Sequence, residues 1–580
     1  MTKRKITFGR SRVQWWTVVL LAFQSLLGIS NAATNLPPRP NIVVIMADDL
    51  GFSDLGCYGA EIATPNLDRL ATDGLRLSQF YNTPRCCPTR AALLTGLYSQ
   101  QAGIGHMMED RGLPGYRGEL NRNTPTLAEQ LRLAGYHTMM AGKWHVSHIY
   151  FDGKKQLDHA SQVPFWDTKD NWPQQRGFDE FYGTIHGVNS YYDPFALVRG
   201  NEPTEPETNF YYTDALSAQA AHYIAAQTNR QQPFFLFVSY TAPHWPLQAP
   251  EADIAKYRKT YAAGWDAIRA KRHQRQIELG LISPTTPLSP RDERVSPWEN
   301  VRDKEWEANR MATYAAMVDR MDQGIGRILA QLRTSGVADD TLVMFFSDNG
   351  ACDEAVQPNW YDVPSKTQDG RRVKVGNNDR RVMAGPDDVW QSYGPPWANV
   401  SSTPFRLYKH FAHEGGIASP FIAAWPKGIK PAREWNRETG HIIDIMPTVM
   451  ELAGASRPTT FAGTATPPLE GRSLVSIFNG QKRANDAPLF WEHEGHRAVR
   501  LNQWKLVARH NRDWELYDIV ADRTEANNLA ATNPEKVKEL AALYETWAKR
   551  CHVLDPEELP RARPITPAQS SAGKQTASSK

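Results

Sequence analysis

Five short apolar runs, rich in β-branched and aromatic side chains and lacking polar alternation, punctuate the chain: residues 41–46 (NIVVIM), 137–141 (HTMMA), 233–240 (PFFLFVSY), 341–346 (TLVMFF) and 421–425 (FIAAW). Runs of this kind predict strands buried on both faces, as in parallel sheets. Three of them follow stretches with helical spacing, at residues 124–135 (TPTLAEQLRLAG), 213–227 (TDALSAQAAHYIAAQ) and 309–332. Strand and helix alternate. The main body is therefore expected to be an α/β domain with a large, mostly parallel central sheet flanked by helices.

Between residues 248 and 307 the pattern turns polar, and residues 353–402 are rich in Gly, Pro, Asn and Asp. Both stretches predict long surface insertions of the kind that shape a substrate entrance. After about residue 455 the character changes. Residues 456–468 (SRPTTFAGTATPP) read as a linker, 498–509 and 514–519 as short antiparallel strands, and 534–549 as a helix. The expected organisation is a catalytic domain over 38–455, a smaller C-terminal α+β domain with an antiparallel sheet over 456–555, and a disordered tail over 556–580.

The N-terminus has a different pattern. Lys3, Arg4, Lys5, Arg10 and Arg12 form a basic opening, an apolar stretch covers residues 15–29, and Ser30, Asn31, Ala32 and Ala33 follow. This order predicts a secretory signal peptide over residues 1–32, cut after Ala32, and hence a periplasmic or secreted protein. An uncleaved membrane anchor is the rival reading, but the apolar stretch is short for a span, and no internal run is long enough for one. The same segment carries the excess of positive charge. The whole chain has 66 basic and 63 acidic side chains, a net +3; without the five basic residues of the signal it has 61 against 63, a net −2. That balance gives no reason to expect nucleic acid or an anionic membrane surface as a partner.

Five cysteines (Cys57, Cys86, Cys87, Cys352 and Cys551) are few for an exported protein held by disulfides, and their odd number leaves at least one unpaired. No pair has zinc-finger spacing.

Polar residues with chemistry to offer fall at the ends of the predicted strands. The first strand runs into Asp48 and Asp49, the second leads to Lys143 and His145, the third to His244, and the fourth to Asp348 and Asn349. Ligands of open α/β sheets bind beyond the carboxyl ends of strands. One Asp after a strand is ordinary turn chemistry; four strands delivering acids, amides, histidines and a lysine to one edge predict a site. Asp48, Asp49, Asp348 and Asn349 offer oxygen ligands, which suit a hard divalent cation, and three carboxylates without one would repel each other. Ca2+ or Mg2+ is expected, with Ca2+ favoured by its looser geometry and by export. In residues 83–96 (TPRCCPTRAALLTG), Pro88 reads as part of a helix start, which places Cys86 and Cys87 at the positive end of a helix dipole. A cysteine there has a lowered thiol pKa; a disulfide or a buried thiol fits the same residues as well.

These residues resemble the type I sulfatases of the alkaline phosphatase superfamily. Cys86-Cys87-Pro88-Thr89-Arg90 is similar to that family's Cys-x-Pro-x-Arg signature, and the following AALLTG to its extension. ADD (47–49), GKWH (142–145), PH (243–244), SDNG (347–350) and K-x4-EGG (409–416) fit in the same order, and the resemblance runs to about residue 550. Thr89 stands where the family commonly has Ser, and Ile417-Ala418-Ser419 stands where an Arg usually follows closely.

The resemblance implies an alkaline-phosphatase-like fold and an arylsulfatase-like sulfuric ester hydrolase, with an aryl sulfate or a sulfated carbohydrate as substrate. It implies that a formylglycine-generating maturation enzyme oxidises Cys86 to 3-oxoalanine (formylglycine). The hydrated aldehyde then attacks sulfur, forms a sulfated intermediate, and expels sulfate when its second hydroxyl loses a proton. One Ca2+ would be held by Asp48, Asp49, Asp348, Asn349 and the modified Cys86 side chain. Arg90 and Lys143 would steady the diol, His145 would handle its proton, and His244 and Lys409 would grip the sulfate and assist the leaving alcohol.

Two other readings use the same residues. One is a phosphodiester or phosphonate-monoester hydrolase of the same superfamily, against which stands the lack of the extra His and Asp ligands of a two-metal site. The other is a calcium-binding relative in which Cys86 stays a thiol. WEHEGHR (491–497) is one residue short of the zinc motif HExxH, and it offers His493 or His496 as substrate contacts should the C-terminal domain reach over the site. Gly142-Lys143 lacks the flanking residues of a P-loop.

Overall fold

Strands that are apolar on both faces need cover above and below, and the chain supplies it by sending helices between successive strands. The computed structural model describes Thr2 and residues 39–148 and 169–563, apart from 229, 361, 378 and 484–486. Apart from Thr2, the predicted signal segment lies outside the described residues, as do residues 564–580 of the expected tail. Ten strands form one sheet: β1 (Asn41–Ala47), β2 (Leu75–Tyr81), β3 (His137–Gly142), β4 (Glu180–Thr184), β5 (Leu197–Arg199), β6 (Glu202–Pro203), β7 (Phe234–Ser239), β8 (Thr341–Ser347), β9 (Ala418–Ala424) and β10 (Asn436–His441). Their spatial order is β10-β2-β9-β8-β1-β7-β3-β4-β5-β6.

The middle of the sheet, β8-β1-β7-β3-β4, is parallel throughout. The expected strand at 421–425 is β9, which runs antiparallel to both its neighbours, β8 and β2. The outer pairs β4-β5 and β5-β6 are antiparallel as well, so the sheet is mixed around a parallel centre.

Helices α1 (Pro65–Asp73), α2 (Cys86–Thr95), α3 (Leu127–Leu133), α4 (Tyr212–Gln227), α5 (Glu251–Tyr261), α6 (Trp265–Glu278) and α7 (Lys304–Thr334) pack around it. One face of the sheet sets Val43 and Ile45 of β1, Leu236 and Val238 of β7, and Val343 and Phe345 of β8 in a common core with Leu216 and Ala220 of α4 and Met311, Ala315 and Val318 of α7. The helix positions recur at three- and four-residue intervals, one stripe facing inward.

The polar stretch 248–307 is not a loop insertion: it contains α5 and α6. Ile254, Tyr257 and Tyr261, then Trp265 and Ile268, face the core. Arg269 and Arg272 share that buried face, Arg272 bonding Asp54 at 2.5 Å and Glu61 at 2.7 Å. Two buried arginines, Arg272 ion-paired and Arg269 bonded to the Ser289 and Asn399 carbonyls, gave α6 a polar composition and hid its amphipathic pattern. Residues 353–402 are largely irregular, but Val356, Val363 and Trp390 are buried with Trp245 in a small separate core.

The C-terminal part forms a four-stranded antiparallel sheet, β11 (Leu489–His493), β12 (His496–Leu501), β13 (Trp504–Ala508) and β14 (Glu515–Asp518), followed by α8 (Pro534–Cys551). The expected linker contains a small hairpin, Thr460–Phe461 with Thr464–Ala465. Of the expected tail, Arg563 donates its backbone N–H to Asp110 at 2.7 Å. All five cysteines are free and buried.

Candidate functional site

Strand register explains the site. Ala47 pairs with Ser347, Met46 with Ser239, and Gly142 with Ser239. Four central strands thus end at one level, and the next residues along β1, β3 and β8, Asp48, Lys143 and Asp348, emerge at one edge. His244 follows β7 by five positions. β2 ends at the same edge, and five residues beyond it begins α2, whose ten residues are all buried. Its first two residues are Cys86 and Cys87, with Arg85 as N-cap, so the helix starts two residues before Pro88 and its dipole acts directly on both thiols. Pro88 is third in the helix, where a missing N–H costs nothing.

All ten predicted site residues, Asp48, Asp49, Cys86, Arg90, Lys143, His145, His244, Asp348, Asn349 and Lys409, are buried, and contacts link them in one place. Arg90 donates to Asp348 Oδ2 at 2.9 Å, to Ser239 Oγ at 2.5 Å and to the Lys143 carbonyl at 3.0 Å. Lys143 Nζ donates to Asp48 Oδ2. Asn349 Nδ2 donates to Asp49 Oδ1 at 2.7 Å, and the Asp49 N–H donates to Asp348 Oδ1 at 3.2 Å. His244 Nε2 stands 3.3 Å from Asp49 Oδ2. The sulfurs of Cys86 and Cys87 and a ring nitrogen of His145 lie within 4.8 Å of one another. Asp49 and His145 have left-handed backbones, φ 61° and 59°, which non-glycine residues seldom adopt. Gly187 is needed at the site too: a Cβ there would stand 2.1 Å from His145 Nε2.

The electrostatics fit a cation. Asp48 Oδ1 and Asn349 Oδ1 are buried and, among the described residues, without hydrogen-bond partners. Burial foremost pushes the Asp48 carboxyl up to about 6 and the Asp348 carboxyl up to about 8. Burial would also raise Asp49, but Lys409 and His244 override it and hold Asp49 below its usual range. Buried carboxylates with unused lone pairs and an amide oxygen suit a hard divalent ion. The Cys86 thiol is held well below the usual range, first by a hydrogen bond from Cys87, then by His145 and Lys143, against the opposing effect of burial. Burial keeps His145 neutral by lowering its pKa to about 3.

A cavity of about 590 Å3 opens onto Cys86, His145, His244 and Lys409. Its outer walls include Met107, Met108, Trp245 and Trp360, the two indoles 5.6 Å apart. Sequence reasoning missed several residues here. Glu354 Oε2 accepts from Lys409 at 3.3 Å and from Trp245 Nε1 at 2.8 Å, and its Oε1 pairs with Arg85 at 3.0 Å. Its only sequence signal was its place just beyond the SDNG turn. Arg85 and His410 are immediate neighbours of Cys86 and Lys409, which could have singled them out.

His493 and His496 do not line this cavity. His493 is fully buried, and His496 packs against Phe411, ring centroids 4.5 Å apart. The hairpin between β11 and β12 does reach the site, but through Glu494, which pairs with His410 at 2.8 Å.

Comparisons agree with this geometry. Residues 40–455 match the family model "Sulfatase", and residues 405–549 match "N-sulphoglucosamine sulphohydrolase, C-terminal". The chain is 34% identical to an arylsulfatase of Klebsiella aerogenes over 471 residues, covering 78% of this chain and 94% of that one. It is also 34% identical to an uncharacterized sulfatase of Schizosaccharomyces pombe, with 88% and 93% covered. The crystal structure of Ps i-CgsB in complex with k-i-k-neocarrahexaose superimposes with a TM-score of 0.63 at 25% identity, covering 92% and 96% of the two chains.

Proposed function

The chain belongs to the sulfatase family and hydrolyses sulfate esters; on that premise we propose that residue 86, oxidised from cysteine to formylglycine, is its nucleophile, beside one Ca2+ held by Asp48, Asp49, Asp348 and Asn349. The observation that carries this reading is the pair of buried, unpartnered oxygens, Asp48 Oδ1 and Asn349 Oδ1, at the edge where α2 begins. Hydrated, the aldehyde at residue 86 would supply one hydroxyl to displace the alcohol from sulfur and a second whose ionisation would release sulfate and restore the aldehyde; a cation held by Asp48, Asp49, Asp348 and Asn349 would supply a Lewis acid.

The chain's own residues do the rest. Asp348 and Ser239 fix Arg90, and Asp48 fixes Lys143, so both cations face residue 86 in one orientation. They offset negative charge developing there without having to reorganise. His145, neutral and beside residue 86, is placed to take a proton from it. Lys409 and His244, 3.5 Å apart, face the cavity from the far side, where a leaving alcohol would need a proton.

The substrate we propose is a sulfated carbohydrate or aryl sulfate whose leaving group lies against Trp245 and Trp360. Aromatic faces bind both sugar rings and aryl groups, and a cavity of about 590 Å3 accommodates one or two rings. The oligosaccharide bound by Ps i-CgsB and the name of the Klebsiella relative support that range. We further propose export through the signal at residues 1–32 and maturation by a formylglycine-generating enzyme.

Mass spectrometry of the peptide bearing residue 86, from the native host, tests the central claim. An aldehyde mass with Cys87 unmodified is expected, and turnover of an aryl sulfate should vanish in Cys86→Ala. An ordinary cysteine in active protein would refute it. Phosphate diesters cleaved better than matched sulfates would overturn the substrate class.

A further inference from the structure

Beside the cavity, three imidazoles and a carboxylate converge from three segments of chain. His106 lies in the loop after α2, His410 follows Lys409, and His493 and Glu494 belong to the tip of the β11-β12 hairpin. Glu494 and Gly495 form its two-residue turn, both left-handed at φ 52° and 78°. Glu494 Oε2 stands 2.8 Å from His410 Nδ1; its Oε1 stands 3.5 Å from His493 Nε2 and 3.7 Å from His106 Nε2. The rings of His106 and His493 stack with centroids 5.7 Å apart. His493 is fully buried and, among the described residues, neither of its ring nitrogens has a hydrogen bond. Buried polar atoms left in that state are rare and call for a partner.

We propose that His106, His410, His493 and Glu494 bind a borderline divalent transition metal, of which Zn2+ is the natural probe, at a site separate from the oxygen cluster at Asp48 and Asp348. The donor set is three imidazoles and one carboxylate, which zinc takes and calcium does not. Ligands at about 2.0–2.1 Å from a tetrahedral ion stand roughly 3.4 Å from one another. The ligand atoms of His410, His493 and Glu494 already lie within 4.8 Å of one another; His106 stands outside that group and would have to move inward, and the His410 contact would have to widen.

The outer partners point the same way. His106 turns its other nitrogen, Nδ1, toward Glu109 Oε2 at 3.8 Å, and His410 turns Nε2 toward Glu354 Oε1 at 3.2 Å. A carboxylate behind the far nitrogen is the usual way a metal-binding imidazole is oriented. Arg85 is the opposing charge: its Nη1 lies 2.9 Å from His410 Nδ1 and closer still to Nε2, so it would have to withdraw for His410 to bind a metal. It is also anchored on Glu354 at 3.0 Å, and Glu109, Glu354 and Glu494 together outnumber it. A metal here would tie the C-terminal hairpin to the loop that carries Lys409.

The test is calorimetric titration of the matured enzyme with Zn2+ in the presence of saturating Ca2+. One Zn2+ equivalent is expected. Glu494→Gln and His493→Asn should each weaken binding by about tenfold or more, while Cys87→Ser should leave it unchanged. No Zn2+ uptake by the wild type, equal affinity in both cluster variants, or loss of binding in Cys87→Ser would overturn the proposal. Wild-type protein loaded with Co2+ gives a readout that needs no variant. A tetrahedral nitrogen–oxygen spectrum supports the site, and a thiolate-to-metal charge-transfer band refutes it.

Discussion

Lys409 Nζ donates to Asp49 Oδ2 at 3.0 Å, joining positions 360 residues apart in the chain. The same ammonium reaches Glu354 Oε2 at 3.3 Å. One cation is thus suspended between a residue of the proposed calcium cluster and one from the loop beyond β8, both buried enough for the contacts to be strong. Burial would lower the Lys409 pKa, but Asp49 leads the neighbours that raise it well above the ordinary range, so the ammonium is charged at neutral pH. Lys409→Ala is expected to lower kcat/KM on an aryl sulfate by about 100-fold or more. Glu354→Gln keeps the acceptor for Trp245 but removes the charge, and should lose activity to a smaller extent. Wild-type rates in both variants, measured on protein with residue 86 converted, would remove this pair from the mechanism.

The raised carboxyls predict how calcium binding depends on pH. With Asp348 at about 8 and Asp48 at about 6, the metal-free protein at neutral pH holds a proton chiefly on Asp348. A cation needs those oxygens ionised, so its uptake displaces protons, and apparent affinity climbs as pH rises toward 8. Calorimetry of chelator-treated protein near pH 7, in buffers of different ionisation enthalpy, should show net proton release on adding Ca2+. Affinity that stays flat from about pH 6 to pH 8.5 would mean that the carboxylates are already ionised without the ion.

Much of this site was legible because strand ends are legible. NIVVIM before Asp48 and TLVMFF before Asp348 are continuous apolar runs, and parallel pairing brings their ends to one level. Arg85, Glu354 and His410 were not, because nearness to Cys86, Lys409 and the SDNG turn was their only signal: each acts through a partner distant in sequence. α5 and α6 were missed for a different reason. The inward face of α5 carries Asp253, and that of α6 carries Arg269 and Arg272, whose charges are met by Asp54, Glu61 and backbone oxygens elsewhere in the fold. A hydrophobicity pattern cannot anticipate a buried arginine whose partner lies some 200 positions away.

Buried histidines set the acid limit of stability. His441 is fully buried, and its Nδ1 accepts from the Ile443 N–H at 3.3 Å, a contact only the neutral ring can make. Burial, opposed by Asp444, lowers its pKa to about 4 from an ordinary 6.5. Between those values the unfolded chain takes a proton that the folded chain refuses. Stability therefore falls as pH drops through that window, by about 1.4 kcal/mol per pH unit for this group, and is unaffected by it above 6.5. Urea unfolding of wild type and His441→Gln at about pH 7, 6 and 5 should show a shallower pH slope in the variant. Parallel slopes would show that His441 does not titrate on unfolding.

The C-terminal sheet is fastened to the catalytic body by a buried ion cluster. Lys505 of β13 lies between Glu414 Oε1 at 2.9 Å and Glu525 Oε1 at 2.8 Å, all three residues fully or almost fully buried. Glu414 also accepts from Arg523 at 3.1 Å and from Tyr81 Oη at 2.9 Å, and it begins the EGG turn that follows Lys409 by five positions. Removing the ammonium leaves two carboxylates out of water, with the Arg523 guanidinium paired to Glu414 alone. Lys505→Met is expected to cost about 3–5 kcal/mol. The double variant Lys505→Met/Glu525→Gln should recover part of that loss, because it removes one of the stranded charges. Chemical denaturation followed by circular dichroism reads the loss; across the same contact the Trp491 indole N–H donates to the Asn82 carbonyl at 2.8 Å. A loss under about 1 kcal/mol, typical of an exposed pair, would mean that water reaches Lys505 and that the two parts are held by apolar packing alone.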